Sequence, residues 1–451
     1  MLKKNDFYQV NILRTGMDGE GIAEIDGMVV FVPGALVGEC VRIKVLSVKK
    51  TYAYAMVDAI IEASPHRRQP VCPVYKRCGG CDLSHADYGA QLQIKREKIA
   101  SALRKVDGVA DLEIGMVGSD AEYGYRNKIS LPVREVEGRL ALGFFAARSH
   151  RFVAHNGCPL HSDALNGLAD KILGIMNELG LKAYDEGTAK GFVRHLAIRE
   201  LSHSFSVTVV INSKATGKVK EIASRLTEWD GRPVSVYANV NTRDTNVIFG
   251  QEFVRISGEE PCGEMCGVKF HLHPGSFLQV NTALAQKIFE HVKAELSGTD
   301  FLVDAYSGIG ITSNVLAGKV GKVYSVEIVP EAVQDAKALA IACGNQDKIE
   351  CILGDCKVEI PAVINRIKGK GTTSVFLDPP RKGCDESTLC AVLEAMPDKI
   401  IYLSCNPATL ARDLDVLTKG GYVLTSITGY DMFAQTKHVE TLAVLCNKNK
   451  K

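Results

Sequence analysis

Three short runs place chemically useful side chains at the ends of apolar, strand-like segments. The first is Asp304-Ala305-Tyr306-Ser307-Gly308-Ile309-Gly310, at the end of Phe301–Ala305. Glycines there let a ligand approach the backbone at the crevice of an open parallel sheet. The next strand ends in Glu327, whose carboxylate can accept hydrogen bonds from ribose hydroxyls. The phosphate-binding G-x-G-x-x-G is not completed, because Ile311, Thr312 and Ser313 follow Gly310. That pattern disfavours a dinucleotide and suits a nucleoside ligand without phosphates, a description S-adenosylmethionine meets. The second run, Asp378-Pro379-Pro380-Arg381, follows the strand-like Ser374–Leu377. Its Asp is expected to face the same crevice, with two prolines fixing the chain direction. Arg381 stands where amino-group methyltransferases carry an aromatic residue, so amine methylation is disfavoured. Asp355, after Ile349–Leu353, is expected to meet an adenine edge.

The third run is Ser404-Cys405-Asn406-Pro407, after Ile400–Ser404. A cysteine beside a methyl donor has a specific use. Carbon 5 of uracil or cytosine is too weak a nucleophile to take a methyl group directly. Thiolate addition at carbon 6 makes carbon 5 enolate-like, so that it can attack the sulfonium methyl. A base must then remove the carbon-5 proton before the thiol is eliminated. Glu440 is the first candidate for that base, and His438 the second. The thiolate route serves both pyrimidines, so the residues alone leave uracil and cytosine open.

Cys72-x5-Cys78-x2-Cys81, with Cys158-Pro159 as a distant fourth, forms a second constellation. Structural zinc sites usually use two short-spaced cysteine pairs. Three close cysteines and one distant Cys-Pro look more like a [4Fe-4S] cradle, with zinc the alternative. The radical-type C-x3-C-x2-C spacing is absent. Cys262 and Cys266 are expected to be plain thiols flanking a turn.

The elements that must position these residues divide the chain in three. At 451 residues, two or three domains are expected. Residues 7–62 alternate in β-branched residues between glycines, as in a small barrel of the OB type. Residues 91–106 have a helical apolar pattern, and 123–258 mix strands with a helix around Ala164–Leu179. From about 260, short apolar strands alternate with helices, the pattern of a doubly wound parallel sheet. Tyr422–Ile427 and Thr441–Cys446 add a terminal hairpin with a longer connection.

The composition is 46% hydrophobic and 24% charged, which excludes a mostly disordered chain or a collagen-like repeat. The formal net charge is only +2, but Pro65–Val106 holds 9 Lys/Arg against 3 Asp/Glu, and Tyr123–His155 holds 6 against 2. A basic middle on a near-neutral chain suggests one face built for a polyanion. The start, Met1–Asp6, is not expected to act as a secretory leader, no apolar run reaches membrane length, and the 14 cysteines are expected to be cytosolic thiols.

Together these motifs resemble the RNA uridine-5-methyltransferases of the RumA/TrmA type, and the resemblance runs over essentially the whole chain. Phe277-Leu278-Gln279-Val280-Asn281 is similar to that family's F-x-Q-x-N stretch. The resemblance implies a Rossmann-like methyltransferase domain (91–119 and 260–451), an amino-terminal OB-fold TRAM domain (1–64), and a central α+β iron–sulfur and RNA-binding domain (65–90 and 120–259). It implies Cys405 as nucleophile and Glu440 as general base, with Gln279, Tyr306, Glu327 and Asp378 binding S-adenosylmethionine. It also implies a [4Fe-4S] cluster on Cys72, Cys78, Cys81 and Cys158. Ser307 departs from the family, which usually has Cys there. Members with a TRAM domain and a cluster usually modify 23S ribosomal RNA, so that RNA is the expected substrate. The alternatives are the transfer-RNA T-loop and a non-catalytic iron–sulfur RNA-binding protein. The protein is expected to be a cytoplasmic monomer that acts neither on DNA nor at a membrane. Tyr125-Arg126-Asn127-Lys128 and Arg148-Ser149-His150-Arg151 would contact phosphates, while Tyr123, Tyr125 and Phe145 would stack on bases.

Overall fold

The computed structural model describes residues 2–147 and 149–449. The amino-terminal strands form one curled six-stranded sheet, in the order Phe7–Asn11, Cys40–Val48, Tyr52–Glu62, Met28–Val32, Gly21–Ile25 and Arg14–Thr15. Alternation in these strands turns Val30, Val32, Val41, Ile43, Val45 and Ala53 inward to a small core. Leu13 N donates to Ile22 O (2.9 Å), which carries the chain after the first strand back across the third.

The central region is a second sheet, running Phe152–Ala154, Arg139–Phe145, Lys128–Val136, Val193–Glu200, Phe205–Ile211, Arg232–Val240 and Glu228–Trp229, with Glu252–Ser257 also on Arg232–Val240. The helices Asp163–Glu178 and Gly217–Ala223 share a core with it through Leu165, Leu168, Ile172, Val219 and Ile222.

The third sheet orders its strands as Ile349–Leu353, Lys322–Glu327, Phe301–Ala305, Thr373–Leu377, Lys399–Ser404, Glu440–Asn447, Tyr422–Tyr430 and Ile114–Val117. The first five are parallel, and Glu440–Asn447 enters antiparallel to Lys399–Ser404. Strand order reverses between Phe301–Ala305 and Thr373–Leu377, which opens the crevice at their carboxyl ends. The first helix of the chain starts earlier than its apolar pattern suggests, spanning Tyr88–Leu103, because Asp87 caps it by accepting from Ala90 N (2.8 Å). Its Ile99 and Leu103 join the core of this third sheet, and Ile114–Val117 extends that sheet beside Tyr422–Tyr430. No helix among the described residues is long and apolar enough to cross a membrane.

Candidate functional site

The turn after Phe301–Ala305 forms the floor of a cleft of about 690 Å³. Gly310 has φ +80°, and a Cβ there would lie 2.9 Å from the Cβ of Ala336, so the turn requires glycine twice over. Gly308 N donates to Glu327 Oε2 (3.0 Å), while Ile328 N and Val329 N donate to Oε1 (2.8 and 2.9 Å). Gln279, Tyr306, Glu327 and Asp378 all line this cleft. Gln279 is held there through its carbonyl, which accepts from Asn127 Nδ2 (2.9 Å). Asn281 caps the helix Thr282–Glu295 by accepting from Leu284 N (3.2 Å). Burial pushes the Asp378 carboxyl up to about 7. Asp355 follows Gly354, whose N–H donates to the carbonyl of the cleft residue Glu327 (3.0 Å), and its carboxylate caps the helix Cys356–Ile367 by accepting from Lys357 N (3.1 Å).

Cys405 is the first residue after Lys399–Ser404, immediately before a helix whose start is fixed by the Asn406 side chain and Pro407. Ser404 pairs antiparallel with Thr441, so the register sets Cys405 opposite Glu440, the first residue of the last strand. The thiol is half-buried, and Glu440 is 4% exposed. Burial, then the carboxylates of Glu440 and Asp378, push the Cys405 thiol up to about 11, and the Arg381 guanidinium opposes them. Burial first, then Asp378, pushes Glu440 up to about 8, again against Arg381. The four side chains therefore share one electrostatic neighbourhood. His438 is driven down to about 4 by burial and by Arg381, Lys98, Lys437 and Lys95, which makes it a neutral imidazole at neutral pH.

The segment between the last two strands is anchored by groups that no local pattern marks. Gln435 has φ +70° and is fully buried. Its amide oxygen accepts from Gln91 Nε2 (3.2 Å) and Arg68 Nη2 (3.1 Å), and its amide nitrogen donates to Glu122 Oε2 (3.0 Å). Its carbonyl accepts from Asp82 N and Leu83 N (3.1 and 3.0 Å). Lys95 and Asp431, both fully buried, form an ion pair, and Lys95 Nζ also donates to Phe433 O (3.1 Å).

Cys72, Cys78, Cys81 and Cys158 converge on a second, narrow cavity of about 50 Å³. Gly79 lets this loop close, since a Cβ there would meet Ala147 N at 2.6 Å. Among the described residues no three His, Cys, Asp or Glu side chains stand close enough to grip a single metal ion. Arg126 and His155 also line the cavity, and Arg126 Nε and His155 Nε2 are buried without a hydrogen-bond partner.

This corrects part of the basic-face expectation. Arg126 points into the thiol cavity, and the Tyr125 hydroxyl donates to Ala434 O (2.9 Å). Asn127 Nδ2 holds Gln279 O and Thr282 Oγ1 (both 2.9 Å). Tyr123 lines the thiol cavity, and its hydroxyl donates to Gln435 Oε1 (3.4 Å). These groups join domains, because the chain here runs between sheets rather than over an open surface. Arg148 lies outside the described residues.

Residues 87–449 match the family described as tRNA (Uracil-5-)-methyltransferase, and residues 3–57 match the TRAM domain. The chain is 37% identical over 454 residues to an RNA methyltransferase of Halalkalibacterium halodurans, covering 99% of this chain and 98% of that one. It is 38% identical over 454 residues to an RNA methyltransferase of Clostridium tetani, covering 98% and 97%. The solved tRNA (uracil-54, C5)-methyltransferase of Pyrococcus abyssi, in complex with S-adenosyl-L-homocysteine, superposes with a TM-score of 0.77 at 24% identity. That match covers 97% of this chain and 100% of the other, and shows that the three-sheet fold is common to both. With the match spanning nearly everything after the amino-terminal barrel, the chain belongs to the uracil-5 RNA methyltransferase family and carries a TRAM domain in front of the catalytic region.

Proposed function

We propose that this protein methylates carbon 5 of a uridine in 23S ribosomal RNA, with S-adenosylmethionine as methyl donor. The observation that carries the reading is the strand register that sets Cys405 opposite Glu440, both sharing charge neighbours with the cleft residue Asp378. The cleft volume of about 690 Å³ suits a nucleoside-sized donor held by Gln279, Tyr306, Glu327 and Asp378. Bound there, the donor supplies an electrophilic sulfonium methyl.

The Cys405 thiolate adds to carbon 6 of the extruded uracil, forming a C–S bond and an enolate-like carbon 5. Carbon 5 takes the methyl group from the sulfonium. Glu440 removes the carbon-5 proton, and the returning electron pair expels the Cys405 thiolate. Arg381, beside both groups, stabilises the two anionic forms that the cycle requires.

Cys72, Cys78, Cys81 and Cys158 would hold a [4Fe-4S] cluster. The convergence of all four thiols on one cavity supports that reading, with zinc the alternative occupant. The unpartnered Arg126 Nε in the same wall suits an anionic occupant. Anaerobically purified protein should carry iron and acid-labile sulfide in equal amounts, and Cys78→Ser should lose both.

The transfer-RNA reading is the second one. The archaeal structure, a transfer-RNA enzyme by its name, shares nearly the entire fold. Mapping 5-methyluridine in total RNA from a deletion strain decides between the two. Loss from 23S RNA supports the first reading, and loss from the T-loop of transfer RNA supports the second. Incubation with 5-fluorouridine RNA tests the chemistry separately, because fluorine cannot leave as a proton. A denaturation-stable adduct is expected, and Cys405→Ala should abolish it while lowering turnover at least about 10⁴-fold.

A further inference from the structure

One face of the central sheet carries two cations that, among the described residues, meet no acid, in a row that ends at Ser235, whose hydroxyl donates to Glu259 O. Lys128, Arg199, Ser206 and Ser235 are successive cross-strand partners on four adjacent strands, so their side chains share a face. Arg199 is 4% exposed. Its Nη2 donates to Ser276 O (2.8 Å), while Nε and Nη1 are buried with no partner. The Ser206 hydroxyl beside it is also unpartnered, as is that of Ser130 one step along the same face. Among the described residues neither Lys128 nor Arg199 has an ion-pair partner. Burial and the Arg199 guanidinium push the Lys128 ammonium down to about 8, and burial alone pushes Arg199 down to about 10. Two desolvated cations side by side are costly unless an anion completes them.

The surroundings indicate what kind of anion. The Lys128 ammonium lies over the Phe249 ring (5.8 Å). Phe249 packs on Phe253 (5.3 Å between centroids), and Phe253 packs on His273 (4.8 Å). His273 and Ser276 line the cleft, so this aromatic and cationic strip runs to its rim. Aromatic faces beside cations are the chemistry of a nucleotide strand, whose bases stack while its phosphates supply charge.

We propose that Lys128, backed by Arg199, is an oxyanion site for a backbone phosphate of the substrate RNA, placed beside the cleft that admits the target base. The proposal rests on the RNA-methylating reading but goes beyond it, since neither residue belongs to the donor site or to the reacting pair. Lys128 is the half-buried member that meets the phosphate. Arg199 lies behind it and adds positive potential while tying the strand to Ser276.

The test is binding of 23S and transfer-RNA transcripts to the intact protein as a function of salt, with S-adenosylhomocysteine affinity measured by calorimetry without RNA. Lys128→Gln should weaken RNA binding roughly tenfold. It should also lower the slope of log K against log salt by about one released ion, and leave the nucleoside affinity unchanged. Lys128→Arg should restore the slope. An unchanged RNA slope with weakened S-adenosylhomocysteine binding would assign the anion to the donor carboxylate and overturn the proposal. Unchanged values for both ligands would overturn it as well. The binding measurement does not need turnover, so absence of methylation on either transcript would count against the substrate reading and leave this site to be judged by its slope.

Discussion

Burial of Glu440, the proposed base, couples its protonation to stability. Its folded-state pKa is raised to about 8, above the ordinary carboxylate value of 4.5. Between those values the unfolded chain holds fewer protons than the folded one, so stability falls as pH rises through this window. Glu440→Gln should therefore raise the melting temperature of the ligand-free protein at pH 9, with little change at pH 4.5. As the proposed base, the same residue would have to be ionised to accept the carbon-5 proton, so turnover should climb with pH through a limb near 8. Replacing it with Gln should slow turnover by about 10²–10⁴-fold and leave methylated RNA covalently attached to Cys405, visible as a denaturation-stable band. Arg381 opposes the upward shifts of both Cys405 and Glu440, so Arg381→Gln should move the activity limb to higher pH, as a pH–rate profile would reveal.

At the scale of elements, the segment from Asp431 to Val439 decides where Glu440 begins. It has no regular structure to hold it, and it is pinned from outside by Gln91 and Lys95 on the helix Tyr88–Leu103 and by the backbone of the thiol loop at Asp82 and Leu83. Removing one member of a fully buried ion pair leaves a desolvated charge behind. Lys95→Met should cost about 3–5 kcal/mol of stability, measurable by denaturant unfolding, and the paired replacement with Asp431→Leu should recover much of it. The sequence showed a helix here with both lysine and glutamine on it, but a helical period cannot say which polar residues face inward. Only the docking of this helix beside the last two strands turns Gln91 and Lys95 into buried partners.

At the scale of the molecule, the barrel, the thiol loop and the catalytic sheet meet around that same segment. Arg67 pairs with Glu39, which is buried in the barrel, and Lys437 pairs with Asp18 on a barrel turn (3.3 Å). The amino-terminal barrel is thus seated against the segment that leads to Glu440. If the thiol cavity holds the proposed cluster, removing one of its thiols should loosen this junction. Cys78→Ser should expose Gln91, Gln435 and their neighbours to faster amide hydrogen exchange, with slower change in the strands Phe301–Ala305 and Lys322–Glu327.

The parallel sheet, its Gly-x-Gly turn and the placement of Asp378 and Cys405 just past strand ends were legible in the chain, because each depends on local spacing: short apolar strands with glycines or prolines after them. The small barrel was legible for the same reason, through its period of two and the glycines between its strands. Asp355 caps a helix as well as ending a strand, a second role that a strand-end carboxylate does not reveal in sequence. The basic run at Tyr125–Lys128 showed the limit of that reasoning: charge was visible, but the side chains divide among the thiol cavity, the Gln279 backbone and the cationic row. The amino-acid order by itself determined which strands form and which reactive atoms stand at their ends, because those follow from neighbours a few residues apart. Which carboxylate faces Cys405, and which cations lose their water without gaining a counter-ion, was decided only by tertiary structure, because register and desolvation are set by segments hundreds of residues away.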